Sequence, residues 1–311
     1  MPATVRVAAA QIAPVMLDRD ATIDKVCDVI REAGRAGAEL VAFPESIVPG
    51  YPYWAMFLEP VSINALNRRL FHNAVAVPSP ASDRLCAACR EAGVYSVVGI
   101  NEREGGTLFN SQLFIGPNGE IFGRRRKLMP TSHERMVWGR GDGADLALFE
   151  TPIGRLGGLI CYEHSNPLYR YAIQAQGEEI HVACWPGGLP GINGIIDAAT
   201  RHYAFEAQCF VISVTAVLTE AAIAAMGEGG KLATLQPGGG HSAILGPRGD
   251  YLAGPETGGE AILYADLDFN RIVDMKMVVD SAGHYARPDV VELVVHGGRR
   301  RPLTIERGAR G

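Results

Sequence analysis

Residues 155–167 read RLGGLICYEHSNP. Arg155 to Ile160 has the apolar content of a buried strand, and Gly157 and Gly158 permit close packing against it. Cys161 stands at the C-terminal end of that strand. Asn166 is a good N-cap and Pro167 a good first residue for a helix over residues 167–177. The stretch predicts strand, tight turn and helix, with a cysteine on the turn. Open α/β sheets place ligands and nucleophiles at this rim. A cysteine at a strand end is also a common small core residue, so position alone leaves both readings open.

Working outward, strands are predicted at residues 5–12, 39–43, 95–103, 108–115, 120–127, 180–185 and 210–217. Helices are predicted at 18–37, within 60–93 and at 195–208. Ile23, Val26, Cys27, Ile30 and Ala33 share one face of the first helix. Residues 114–120 (FIGPNGE) are echoed by residues 244–250 (ILGPRGD), each a strand, a Gly-Pro-x-Gly-acid turn and a strand. Helices alternate with strands, yet hairpins occur as well. The fold class expected is α/β: sheets of mixed pairing covered by helices, in a single domain with an internal pseudo-repeat. Residues 221–240 are rich in Ala and Gly with little periodicity, and read as an interface insertion or an active-site lid. After His296 the chain carries five arginines and one glutamate. That composition reads as a solvated tail.

Composition excludes several classes. The 311 residues are 47% hydrophobic and 20% charged, with a net charge of -5, so neither disorder nor a nucleic-acid or anionic-membrane partner is indicated. The best candidate for a membrane span, residues 207–219, is shorter than the roughly 18 residues that cross a bilayer. The N-terminus lacks the pattern of a signal peptide, and six cysteines are too few for a disulfide scaffold, so the expected location is cytoplasmic with reduced thiols. The pair Cys86 and Cys89 lies in a predicted helix without a second pair and reads as structural, and the eight histidines show no metal-ligand spacing. No metal, nucleotide or organic cofactor is implied.

A thiol nucleophile needs a base or a cation nearby. Glu45 follows Phe43-Pro44 at the end of a hydrophobic strand, on the same rim as Cys161. Lys127 ends the run Arg124-Arg125-Arg126-Lys127. Strand alternation sends Arg124 and Arg126 to one face, Arg125 and Lys127 to the other. Capping for Glu45 and a solvated face for Lys127 are the competing structural readings. Tyr51, Tyr53 and Trp54 follow the Glu45 strand, Trp185 ends the strand after the Cys161 helix, and His133 sits among polar neighbours. These five are candidates for lining a pocket that accepts an aromatic group.

Glu, Lys and Cys at three strand ends, in that order, resemble the nitrilase (carbon-nitrogen hydrolase) superfamily. Val41-Ala42-Phe43-Pro44-Glu45, Arg125-Arg126-Lys127-Leu128-Met129-Pro130-Thr131 and Gly157-Gly158-Leu159-Ile160-Cys161-Tyr162-Glu163-His164 are similar to its three motif segments. Residues 132–139, 177–183 and 280–289 resemble the nitrilase branch. True nitrilases usually carry Trp after the nucleophile, where this chain has Tyr162. The resemblance implies an α-β-β-α sandwich over residues 1–290, with residues 291–311 as a C-terminal tail that makes assembly contacts or is disordered. It also implies homodimers that extend into larger spiral oligomers. The activity implied is hydrolysis of a small-molecule nitrile to a carboxylic acid and ammonia, through a cysteine thioimidate and thioester. Glu45 would act as base, Cys161 as nucleophile, Lys127 and the Tyr162 N–H as charge stabilisers, and Glu134 as the group orienting Lys127 or substrate. The pocket candidates favour aryl- or hydroxy-substituted nitriles. An amidase or carbamoylase using the same residues is the alternative within the family. A catalytically silent filament-forming scaffold is the alternative outside it.

Overall fold

The computed structural model describes residues 3–227, 232, 234, 235 and 237–299. In chain order the first half contributes β1 (Thr4–Gln11), α1 (Arg19–Arg35), β2 (Leu40–Ala42), α2 (Trp54–Phe57), α3 (Asn64–Asn73), α4 (Pro80–Ala92), β3 (Tyr95–Glu104), β4 (Thr107–Ile115) and β5 (Ile121–Arg126). The second half contributes β6 (Phe149–Thr151), β7 (Gly154–Ile160), α5 (Pro167–Gln174), β8 (Ile180–Trp185), α6 (Ile192–Ala207), β9 (Phe210–Thr215), α7 (Glu220–Ala225), β10 (Ser242–Leu245), β11 (Tyr251–Glu256), β12 (Ala261–Asp268) and α8 (Asn270–Val278). The strands form two six-stranded sheets, in the orders β12-β1-β2-β3-β4-β5 and β11-β10-β9-β8-β7-β6.

The apolar periodicities explain the layering. Helix α1 is capped by Asp18, whose carboxylate accepts from the Ala21 N–H at 3.0 Å. Its Ile23, Val26 and Ile30 join Leu85 and Ala88 of α4 against Val41, Val98 and Leu113 of the first sheet. The opposite face of that sheet (Val7, Leu40, Val97, Phe114) packs on Val182, Ile212 and Ile244 of the second. Beyond the second sheet, Ile173 of α5 and Ile196 and Tyr203 of α6 cover Leu159, Ala183 and Val211. The result is helix, sheet, sheet, helix. Strands buried on both faces explain why β1, β2, β8 and β9 read as continuous apolar runs.

The pseudo-repeat in the sequence is a repeat in topology. Along β1 to β5 the pairings are parallel, parallel, antiparallel, antiparallel, and β7 to β11 give the same series. Strands β12 and β6 each close one edge antiparallel. The two Gly-Pro turns bond alike: Gly116 N–H to the Glu120 carbonyl at 2.9 Å, and Gly246 N–H to the Asp250 carbonyl at 2.9 Å.

Two segments without clear periodicity in the sequence make specific contacts. Residues 221–240 contain part of α7, capped by the Thr219 hydroxyl. Ala222, Met226, Leu232 and Leu235 are buried with Trp54, Leu66 and Leu70. These four residues anchor the segment in the core wall, and residues 228–231, 233 and 236 lie outside the description. In the tail, Arg299 pairs with the buried Asp145 at 3.2 Å, and residues 293–296 line a cleft against α5. Residues 300–311 lie outside the described residues. Among the described residues no helix is long and apolar enough to cross a membrane.

Candidate active site

Glu45 lies three residues past β2, where the Phe43 N–H still bonds to the Val97 carbonyl at 2.9 Å. The turn runs so close to β3 that a Cβ on Gly99 would stand 2.1 Å from the Pro44 carbonyl oxygen. Only glycine fits there. The Glu45 carboxylate is buried. Its Oε1 accepts from Lys127 Nζ at 2.9 Å and from Asn110 Nδ2 at 2.6 Å, while its Oε2 is buried without a partner.

Strand alternation explains Lys127. Arg124 and Arg126 lie on one face and pair with Glu102, at 2.8 and 2.5 Å. Arg125 and Lys127 point the other way and are fully buried. Lys127 Nζ also donates to Glu134, at 2.8 Å to Oε2 and 3.1 Å to Oε1. Glu134 sits in the short 3-10 turn Ser132–Met136 and is fixed by the Thr131 N–H at 2.7 Å and the Tyr51 hydroxyl at 2.8 Å. The Tyr51 hydroxyl also lies 2.9 Å from His133 Nε2. Two carboxylates thus share one ammonium, with no exposure to water.

Cys161 follows β7 and opens the 3-10 turn Cys161–Ser165 that leads into α5. Asn166 caps α5, its Oδ1 accepting from the Leu168 N–H at 3.0 Å. Cys161 has a φ of +53°, in the left-handed region that a non-glycine residue rarely occupies, and Ser46 (+45°) and Ser132 (+46°) flank Glu45 and His133 in the same way. Such strain persists only where the surroundings over-determine it. The neighbouring Tyr162 backbone N–H works against the rise of the Cys161 thiol. Cys161, Glu134, Tyr51, His133 and Tyr162 line one pocket of about 220 Å³. Its outer wall is apolar, from Met56, Pro186, Leu189, Ile192 and Ile195.

The electrostatics follow from burial. Burial pushes the Glu45 carboxyl up to about 7 against the pull of Lys127. Burial also drives the Cys161 thiol well above its usual range, and Glu45 adds to the rise while Lys127 opposes it. Burial works against the charge on Lys127, but Glu134 and Glu45 hold its ammonium well above the usual range. Near neutrality the site holds a thiol, an ammonium and a Glu45 able to exchange its proton.

Three of the five aromatic candidates belong elsewhere. The Tyr53 hydroxyl bonds to the Gly187 carbonyl at 2.7 Å, and Trp54 Nε1 to Asn67 at 2.8 Å, both inside packed core. Trp185 stacks on His164 at 4.9 Å between centroids. All three rings are buried, and Tyr53, Trp54 and Trp185 do not line the pocket that holds Cys161. Tyr51, His133 and Tyr162 reach the pocket.

Other residues of the site carried no assigned role from sequence. Asn110 supports Glu45, and the polar triplet Asn110-Ser111-Gln112 inside an apolar strand was the available signal. Glu163 accepts from Arg125 at 2.8 and 2.9 Å, from the Ile160 N–H at 2.7 Å and from the Leu128 N–H at 2.8 Å. One carboxylate therefore ties the residue before Cys161 to the residue after Lys127. Burial opposes its charge, but Arg125 and these N–H groups hold it below the usual carboxylate range. Gly157 makes room for a second buried carboxyl: a Cβ there would lie 2.1 Å from Glu178 Oε1. Among the described residues, no group of three or more His, Cys, Asp and Glu side chains is arranged to hold a metal ion.

Comparison with known proteins agrees with this geometry. The carbon-nitrogen hydrolase family profile matches residues 6–277. The chain is 42% identical over 301 residues to a nitrilase of Paraburkholderia phymatum, covering 96% of this chain and 88% of that one. It is 42% identical to an aliphatic nitrilase of Rhodococcus rhodochrous (93% and 82% covered) and to an arylacetonitrilase of Hypocrea virens (94% and 91%). Among solved structures, a carbon-nitrogen hydrolase from Helicobacter pylori superposes with a TM-score of 0.75 at 20% identity, over 92% of this chain and 96% of that one. An amidase from Nesterenkonia sp. gives 0.67 at 18%, over 88% and 94%. Those structural likenesses concern the fold, while the sequence matches carry the kinship: the chain belongs to the carbon-nitrogen hydrolase family, in its nitrilase branch.

Proposed function

We propose that the protein is a nitrilase that converts an organic nitrile and two waters to a carboxylic acid and ammonia, with Cys161 as nucleophile. The observation that carries this reading is the dry Glu45–Lys127–Glu134 unit beside a pocket that holds Cys161. Glu45 Oε2, lacking any partner, takes the thiol proton as Cys161 Sγ attacks the nitrile carbon. Charge develops on nitrogen, and Lys127 Nζ and the Tyr162 N–H stabilise it. The proton passes to that nitrogen, giving a neutral thioimidate. Water adds with Glu45 as base, ammonia leaves and a thioester remains. A second water releases the acid and restores the thiol. If the carbon–sulfur bond breaks before ammonia leaves, the product is the amide.

Glu134 orients Lys127 in this reading. The apolar outer wall, with Tyr51 and Tyr162 beside it, favours nitriles bearing an aryl group over short aliphatic ones. A hydroxyl near the nitrile would meet the polar His133 side. Residues 1–290 act as one hydrolase domain, residues 291–311 as a contact tail, and the cytoplasmic protein self-associates into dimers and larger spirals. Exposed Phe205 on α6 and Val273 and Met277 on α8 support the association, which sedimentation measures.

The test is ammonia release and product analysis on matched nitriles and amides, with Cys161→Ser as control. Acid and ammonia from arylacetonitriles, and none from the variant, are expected. Equal or faster turnover of the amides would overturn the nitrilase reading, and undiminished activity in Cys161→Ser would overturn the nucleophile.

A further inference from the structure

Behind Cys161, away from the pocket, four buried side chains form one hydrogen-bonded chain that the proposed reaction does not use. The Tyr203 hydroxyl donates to Glu178 Oε2 at 2.6 Å. Glu178 Oε1 lies 2.8 Å from His181 Nδ1. His181 Nε2 lies 2.9 Å from His164 Nε2. His164 Nδ1 lies 2.7 Å from the Cys161 carbonyl oxygen. Tyr203 and His181 stack at 3.8 Å between centroids, so the rings are fixed.

Donor and acceptor rules leave little choice of proton positions. The Cys161 carbonyl only accepts, so His164 Nδ1 carries a hydrogen. With His164 neutral, its Nε2 accepts, and His181 must donate from Nε2. With His181 neutral, its Nδ1 accepts, and the hydrogen between it and Glu178 belongs to Glu178. Tyr203 supplies the other oxygen. With both imidazoles neutral, the chain is fully paired only when Glu178 is a carboxylic acid.

We propose that Tyr203, Glu178, His181 and His164 position the nucleophile: a single proton resident on Glu178 sets the tautomers so that His164 presents a fixed N–H to the Cys161 carbonyl, holding the left-handed turn. The inference rests on Cys161 being the nucleophile. Loss of that proton propagates. His181 then directs its hydrogen to the carboxylate, its Nε2 becomes an acceptor facing another acceptor, and His164 can satisfy it only by giving up the bond to Cys161.

The surroundings fit a neutral chain. Burial pushes Glu178 up to about 8 against the pull of Tyr203 and Arg125, and drives both histidines well below their usual range. The charged groups acting on the chain are Arg125 from β5, Glu163 from the turn after Cys161 and Glu206 from α6. Arg125 and Glu163 neutralise each other as an ion pair, and Glu206 is paired with Arg170. Tyr203, Cys161 and Cys209 stay neutral, because burial raises all three.

The test compares His164→Asn, whose amide nitrogen can replace Nδ1, with His164→Leu, which cannot donate. Two rates are followed: nitrile turnover, and alkylation of Cys161 by iodoacetamide read by mass spectrometry. Alkylation needs no substrate, so a failure of the nitrilase reading and a failure of this inference are distinguishable. Loss of the buried bond in His164→Leu is expected to lower kcat about tenfold with KM nearly unchanged, and to change the alkylation rate, while His164→Asn stays within about threefold of wild type. Equal behaviour of the two variants overturns the positioning role. Glu178→Gln copies the protonated acid, donating to His181 and accepting from Tyr203. It is expected to keep the wild-type rate near neutrality and to lack the decline that loss of the Glu178 proton is expected to give the wild type above about pH 8. A loss of tenfold or more at neutrality, failure of this isostere to fold, or an unchanged alkaline decline overturns the proton assignment.

Discussion

Replacing Glu163 by Ala removes a carboxylate that makes four hydrogen bonds and is only 2% exposed. Arg125 would be left as a buried cation, its remaining acceptors being neutral oxygens of Gln112 and Asp145. Removing one partner of a buried pair costs about 3–5 kcal/mol. The Ile160 and Leu128 N–H groups lose their acceptor too, though water admitted to the vacated space offsets part of that loss. At roughly 2 °C per kcal/mol for a chain of this size, the melting midpoint falls by about 6–10 °C. The kinetic effect is separate. Glu163 holds the ends of β7 and β5 together, so its loss shifts Cys161 relative to Lys127. A displacement of about 1 Å at reacting groups costs on the order of 100-fold in kcat. Calorimetry and steady-state kinetics read the two effects. The double variant Arg125→Met with Glu163→Leu should recover much of the stability, having no buried lone charge, and little of the activity. The reasoning is refuted if Glu163→Ala melts no lower than Arg287→Ala, whose partner Asp289 is exposed.

Further outcomes follow from the same geometry. The Glu45 carboxyl is raised to about 7, so its base form appears as pH rises through that value. The kcat profile should therefore climb across this range, and Glu45→Gln should lower kcat by about 10²–10⁴-fold, measured by ammonia release. Tyr51→Phe removes the hydroxyl that fixes Glu134 and contacts His133. It should cost about 5- to 30-fold in kcat/KM, as expected for one unpaired buried group, with the midpoint falling only slightly. Gly157→Ala places a methyl 2.1 Å from Glu178 Oε1, a side-chain oxygen whose carboxyl is held by His181 and Tyr203, and should destabilise by about 1–3 kcal/mol in thermal unfolding.

Much of this molecule was legible in residue order. The strand of residues 155–160, the Asn166 cap and the alternation through Arg124–Lys127 are local properties, governed by side-chain period and backbone valence. The duplicated Gly-Pro turns likewise announced that the chain builds two similar halves. The rest was not local. Tyr53, Trp54 and Trp185 have the side chains of a binding pocket, and nothing in their neighbours says that three-dimensional packing turns their rings into core. Residues 221–240 lack periodicity because a short helix and isolated apolar anchors need no repeat to bury themselves. Edge strand β12 and helix α8 went unpredicted for a related reason: β12 is only partly buried and its pattern is set by its partner β1.

By itself, the sequence determined which residues could do chemistry and at which strand ends they stand, because element boundaries and face alternation depend on neighbours a few residues away. Tertiary structure decided the rest: that Glu45, Lys127 and Glu134 meet without water, that Glu163 ties two strand ends across 35 residues, and that Glu178 communicates with Cys161 through two histidines. Those properties depend on burial and on hydrogen-bond partners distant along the chain, and both exist only once the two sheets have packed face to face.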